Sequence, residues 1–273
     1  TLGGFRNVQS EKQANMIAAS KLESYRKAAR DTEKQLWQDI PDDVRVPTVN
    51  FTKSYEALEN QLSKIKKADM PFAAGWLAKF KYGKKKGTTR LGKTATIQEA
   101  RDIISELRRS ARLDRSPFGE QNLNRARIAD ELAEAINEDL LLSVDELSDD
   151  ASASIVDAVN YSKAFHETWS KPSIEAVFER TTKGQRKVEE TQVLDFLFSG
   201  PKKNRENFNT LMTAVKDDAD MRGAVKDYFR YNYFNDSGFD LAEAERFMKS
   251  NKRLLDDMPD FKQEIQRAIE TKN

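Results

Sequence analysis

From Thr96 to Trp169 the apolar residues recur at helical spacing, and this pattern constrains the fold more tightly than any motif in the chain. Ile97, Ala100, Ile104, Leu107 and Ala111 make one a/d-like seam. Ile128, Leu132, Ala135, Ile136 and Leu140 make a second, and Ile155, Val159, Ser162, Phe165 and Trp169 a third. Pro117 and Gly119 separate the first two, the acidic run SVDELSDD reads as a loop or frayed end before the third, and Pro172 stops it. Thr94 or Thr96 is placed to cap the first helix, and Glu99 lies at the capping-box distance from Thr96. Short breaks between such seams predict an antiparallel helix pair.

The flanking chain reads the same way. Residues from about Val8 to Ile40 contain no Gly or Pro and place Met16, Ala19, Leu22, Ala29, Leu36 and Ile40 at near-heptad intervals. Pro41 ends that helix, and Pro47 disfavours helix just before it. A helix from about Thr52 to Ala68 carries Tyr55, Leu58, Leu62 and Ile65 on one stripe, and a short helix runs to about Phe80 before a basic loop. Beyond Ser173 the pieces are shorter: a turn or two over 174–180, a polar TTKGQRKV loop and the apolar VLDFLF. After Gly200-Pro201 come compact helices over 208–214, 222–233, 241–251 and 261–269. Phe196, Phe198, Phe208, Tyr228, Phe229, Tyr231, Tyr233 and Phe234 supply a core there. The expected fold is all-α: an elongated bundle built from helical hairpins, with no substantial β-sheet. Its expected parts are N-terminal helices with a basic aromatic loop (1–94), a central three-helix segment (95–170) and a C-terminal compact helical domain (171–273).

Composition agrees. Mean hydropathy is −0.76 and 33% of residues are charged, which suits long helices with wide solvated faces, while 9% aromatic content is too rich for a disordered chain. With no cysteine, disulfides and thiolate–metal sites are excluded. His166 is the one histidine, so a His-rich metal site is excluded as well. No apolar run approaches the roughly 20 residues of a membrane span, and TLGGFRNVQSEKQ lacks the apolar region of a signal peptide. A start at Thr1 points to a processed chain or a piece of a longer protein.

The net charge of +1 conceals two poles. Residues 1–94 hold 19 Lys+Arg against 10 Asp+Glu, and the remainder 27 against 35. Between Met70 and Gln98 there is no acid, while Lys79, Lys81, Lys84, Lys85, Lys86, Arg90 and Lys93 are basic. Between Ile128 and Ser162 there is no base, while ten acids, Asp130, Glu134 and Asp139 among them, follow a helix surface. The basic residues, interleaved with Phe72, Trp76, Phe80 and Tyr82, are candidates for contact with DNA or a partner. The plain alternative is a solvated loop, or a partner for the chain's own acidic pole. A solvated face is the default for the acids.

One string is sharper. Gly87-Thr-Thr-Arg-Leu-Gly92-Lys93-Thr94 fits the phosphate-loop pattern, in which backbone N–H groups wrap phosphates, the lysine reaches the outer ones and the hydroxyl binds Mg²⁺. LLLSVDE (140–146) resembles the strand that would hold the metal. The segment before the loop, AKFKYGKKK, is too charged for a central strand, which argues against the reading. His166, at a helix edge, reads as structural. No nucleophile, base and orienting group form a set.

The helical strings carry a resemblance. ELRRSAR, a break, N-x-x-RARIADELAEAINEDL and AVNYSKAFHETW arrive in order, followed by SIEAVFERTTKGQ, VLDFLFSGPKKNRENFNTLMTAV, AVKDYFRYNYF and FMKSNKRLLDDMPDFKQEIQRAI. Over about residues 94–269 this resembles large internal virion proteins of tailed bacteriophages, also called ejection proteins. The resemblance implies a structural, non-enzymatic protein without cofactor or metal, made in the bacterial host cytoplasm. It implies a place inside the capsid near the portal, self-association, sister virion proteins as partners and a part in genome delivery; double-stranded DNA is a candidate partner through the basic cluster, not through the resemblance. Some such proteins carry a murein-cleaving domain elsewhere, but no motif of it is present here. The alternatives from other classes are a nucleotide-binding protein using Gly87, Gly92, Lys93 and Thr94, a DNA-binding module, and a helical scaffold or adaptor.

Overall fold

The computed structural model describes residues 10–64, 69–82, 94–234 and 240–272. Among these the protein is all-α apart from one two-stranded sheet. It divides into two compact units, residues 30–167 and residues 1–29 with 168–273. That division differs from three consecutive segments, because its boundaries fall within the first and sixth helices.

The 30–167 unit takes in the end of α1 (Glu11–Gln38), α2 (Thr52–Leu62), α3 (Ala74–Tyr82), α4 (Ile97–Arg115), α5 (Leu123–Leu142) and most of α6 (Asp149–Trp169). α4 opens at the expected capping box: Thr96 Oγ1 accepts the Glu99 N–H at 3.1 Å, and Glu99 Oε2 accepts the Thr96 N–H at 2.9 Å. Two N–H donors at the helix start are satisfied in this way. The seam residues Ile97, Ala100, Ile104, Leu107 and Ala111 are all buried. They share one core with Ile128, Leu132 and Ile136 of α5, Ile155 and Val159 of α6, and Trp37, Phe51, Leu58 and Leu77. Fully burying one such aliphatic side chain stabilises by about 1.5–3 kcal/mol.

The pairing of α4 with α5 is antiparallel, as its cross-contacts show. Arg125 forks onto the buried Asp114 beside the turn, Arg115 reaches Asp130, and Arg108 reaches Glu134 at 3.4 Å. Moving away from the turn, the contacting residues draw apart in sequence.

Three details depart from the expected pattern. Residues 45–47 (β1) pair antiparallel with 94–96 (β2), Val46 opposite Ala95, and both of these are buried. α2 ends at Leu62, which is exposed, so the stripe stops at Leu58 among the described residues; Ile65 and Ala68 lie outside them. The acidic joint is ordered as a 3-10 turn over Val144–Glu146, and Asp149 and Asp150 belong to the first turn of α6. Carboxylates are favoured there by the partial positive charge of a helix N-terminus.

The other unit comprises the start of α1 with α7 (Pro172–Val177), α8 (Val193–Leu197), α9 (Pro201–Ala214), α10 (Ala219–Phe234), α11 (Leu241–Ser250), α12 (Lys252–Asp256) and α13 (Pro259–Lys272). Prolines at the first turns of α7 and α9 start those helices, where the missing N–H costs nothing. Its core is aromatic. Phe229 lies 5.1 Å from Phe198 and 5.3 Å from Phe247, and Phe247 lies 4.6 Å from Tyr233, ring centre to ring centre. α9 ends in two successive left-handed residues, Lys216 (φ 52) and Asp217 (φ 57), and the Asp217 N–H donates to the Met212 carbonyl at 2.8 Å. That closes the helix end with a Schellman-type bond.

Candidate functional site

The phosphate-loop string lies mostly outside the described residues: of its four proposed contacts, Gly87, Gly92 and Lys93 do so, and Thr94 is exposed in β2. What precedes the string is α3, so the strand that feeds a phosphate loop is replaced by a helix. LLLSVDE is likewise the end of α5 followed by a 3-10 turn. Of the basic candidates, Lys84, Lys85, Lys86, Arg90 and Lys93 fall outside the described residues, as does the side chain of Lys79. Lys81 is described: it pairs with Glu59 and sits 5.5 Å from the centre of the Tyr55 ring. Its charge is engaged within its own unit.

The acidic stretch is more than a solvated face. Asp130 and Glu134 are met by Arg108 and Arg115 of α4, and Glu134 also by Lys163 of α6 at 2.6 Å. Glu131 accepts from Gln61 at 2.7 Å and pairs with Arg127, and Glu146 accepts from Asn50 at 3.0 Å. Cations on either side of the base-free run thus reach back onto it.

Asp139 corrects the solvated reading outright. It is 1% exposed and accepts the N–H of Lys53 at 3.0 Å, the N–H of Ser54 at 2.8 Å and the Ser54 hydroxyl. α2 begins after Phe51, which has no side-chain oxygen to cap it. A carboxylate from α5 supplies that cap across the unit. Burial pushes the Asp139 carboxyl up from its ordinary value, and the Ser54 and Lys53 donors offset this only in part. The other unit repeats the device: buried Asn15 of α1 accepts the Leu194 N–H at 2.6 Å at the start of α8, and its amide donates to Asp195 at 3.1 Å.

The closest approach to a catalytic constellation is Glu33, Ser162 and His166. Ser162 donates its hydroxyl to Glu33 and accepts the Trp37 indole N–H at 2.8 Å. His166 Nε2 is 3.8 Å from the same Glu33 oxygen. The serine proton is directed at the carboxylate, not at the imidazole, so the order of a nucleophilic triad is absent. Desolvation raises the Glu33 carboxyl, and the Ser162 hydroxyl partly offsets it. This group fastens the end of α1 to α6. Among the described residues no cluster of His, Asp and Glu could hold a metal ion, and no helix is long and apolar enough to cross a membrane. No family model matches the chain, and no curated protein or solved structure gives a match.

Proposed function

We propose that this chain is a structural internal virion protein of a tailed bacteriophage, assembled with copies of itself and sister proteins near the portal and taking part in genome delivery. The observation that carries the reading is the ordered set of helical strings over about residues 94–269, from ELRRSAR to the closing FMKSNKRLLDDMPDFKQEIQRAI. The use of its charges supports it: Asp114, Asp130, Glu134 and Asp139 hold helices to one another, a mechanical role. Exposed apolar side chains support assembly. Leu113, Phe118 and Leu123 surround the α4–α5 turn, and Phe72 is 80% exposed. Apolar groups left in contact with water favour association with another chain.

The test is fractionation. The protein is expected in purified mature particles, protected from added protease, and absent from particles whose genome has been released. Finding it only in the soluble lysate of infected cells, with particles free of it, removes the reading.

A further inference from the structure

α9, α11 and α12 enclose a cleft of about 660 Å³ within the unit of residues 1–29 and 168–273. Among the described residues five cations line it, Lys202 and Arg205 from α9 and Lys249, Lys252 and Arg253 from the α11–α12 corner, against a single acid, Glu206. All five are exposed. Arg205 is held by Asp257, with Nε–Oδ2 2.7 Å and Nη2–Oδ1 3.2 Å. Lys202, Lys249, Lys252 and Arg253 form no ion pair among the described residues, whereas Lys21, Lys187, Lys226, Arg230 and Lys262 of the same unit each hold a carboxylate. The walls are fixed: Asn204 of α9 donates to Asn251 at 2.8 Å, and both are buried.

We propose that this cleft binds the phosphate backbone of duplex nucleic acid. Four cations that form no ion pair among the described residues line two walls of one cleft, and although Lys252 also acts on Asp256, their summed potential favours an anion with repeating charge. Lysine heads on flexible stems act as point charges that suit phosphates without selecting bases. Among the described residues no aromatic side chain lines the cleft, so they offer no stacking platform of the kind that single-stranded binders use. A protein partner is disfavoured by the same lining, since interface centres are depleted in lysine and anchored by aromatic or other apolar groups. Here the one large aliphatic side chain among the described lining residues, Leu254, is buried at 1% exposure. The inference stands apart from the virion reading: a protein that fails to bind duplex can still reside in a capsid.

The experiment is fluorescence anisotropy of the whole chain with a labelled duplex of arbitrary sequence, between about 50 and 200 mM salt. Affinity is expected to fall with salt. Replacing Lys202, Lys249, Lys252 and Arg253 together by Gln should reduce the log–log slope by about 3.6, at about 0.9 per phosphate contact. The melting temperature should hold to within a few degrees, because none of the four forms an ion pair among the described residues. If the combined variant unfolds, each single replacement should still lower the slope by about 0.9. A Lys84→Gln, Lys85→Gln, Lys86→Gln chain tests the upstream loop and should keep the cleft's share of the slope. The proposal is overturned if the cleft variants bind duplex like the parent, or if the parent shows no binding at low salt. Equal binding of polyglutamate, or tighter binding of the single strand, also overturns it.

Discussion

Glu33 and Asp139, in the unit of residues 30–167, are carboxylates drawn into the fold, and burial raises both. In the other unit, Asp256, Asp257 and Asp260 are held by Lys262, Arg205 and Lys226, and Asp218 by the Met221 N–H with Lys21 and Tyr25; all four are lowered. The cores differ in parallel. An aliphatic seam along α4, α5 and α6 fills the first, and a cluster of rings centred on α10 and α11 fills the second. The long seam brings a buried acid of α5 onto the start of α2. The second unit is divided into more helices, several of five or six residues, and at their ends and corners the acids find cations.

The largest effects should come from the cores. Phe247→Ala, which removes the ring that touches Phe229, Tyr233, Phe234 and Phe261, is expected to cost about 3–5 kcal/mol, and Leu107→Ala in the seam about 2–5 kcal/mol. Amide hydrogen exchange should separate them: the first accelerates α10 to α13, the second α4 and α5. If both variants speed exchange equally in all of these helices, the two units do not open independently and the comparison fails.

Next come the caps supplied from a distant helix. Asp139→Ala strands the Lys53 and Ser54 N–H groups, and Asn15→Ala strands that of Leu194. Each is expected to cost about 1–3 kcal/mol, the penalty of a buried donor left without an acceptor. Urea denaturation checks both, and exchange at the start of α2 or α8 localises them. A loss below a few tenths for Asp139→Ala would mean that its burial penalty cancels its bonds.

These caps mark where the sequence stops being legible. The Thr96–Glu99 box could be read because both partners sit in one four-residue window, and the α4 seam because its period is local. Thr96→Ala should cost about 1 kcal/mol by the same denaturation. Asp139 shows no local sign of its capping role, because its donors lie 85 and 86 residues upstream, and an acid among acids on a helix reads as solvated. The β1–β2 pairing escaped for a similar reason, since two three-residue strands take their stability from a register that only the fold brings together. α12, of five residues, is too short to display a period. The basic cleft has no local sign either, because Lys202 and Arg253 come to line one cleft only once α9 packs against the α11–α12 corner.

The smallest effect is also the one that tests the contrast in acids most directly. Glu33 and Asp139 have folded values raised above their unfolded ones, so their contribution is present below the unfolded value and is lost as pH rises through the folded one. Lowering the pH from about 7 towards 4 therefore protonates them preferentially in the folded state and stabilises that unit. Asp218, Asp256, Asp257 and Asp260 behave oppositely: their contribution is present above the ordinary value of 3.8 and is lost as pH falls through the depressed folded values. Trp37 and Trp169, one in each unit, give separate fluorescence signals once the other tryptophans are replaced by Phe. The urea midpoint reported by Trp37 should hold or rise down to about pH 4.5, and that reported by Trp169 should fall only below about pH 4. Arg205→Met with Lys226→Met should flatten the acid limb at Trp169 and leave the Trp37 trace unchanged. If both traces fall together from about pH 5, exposed ion pairs common to the two units dominate, and buried and paired acids do not set their different responses.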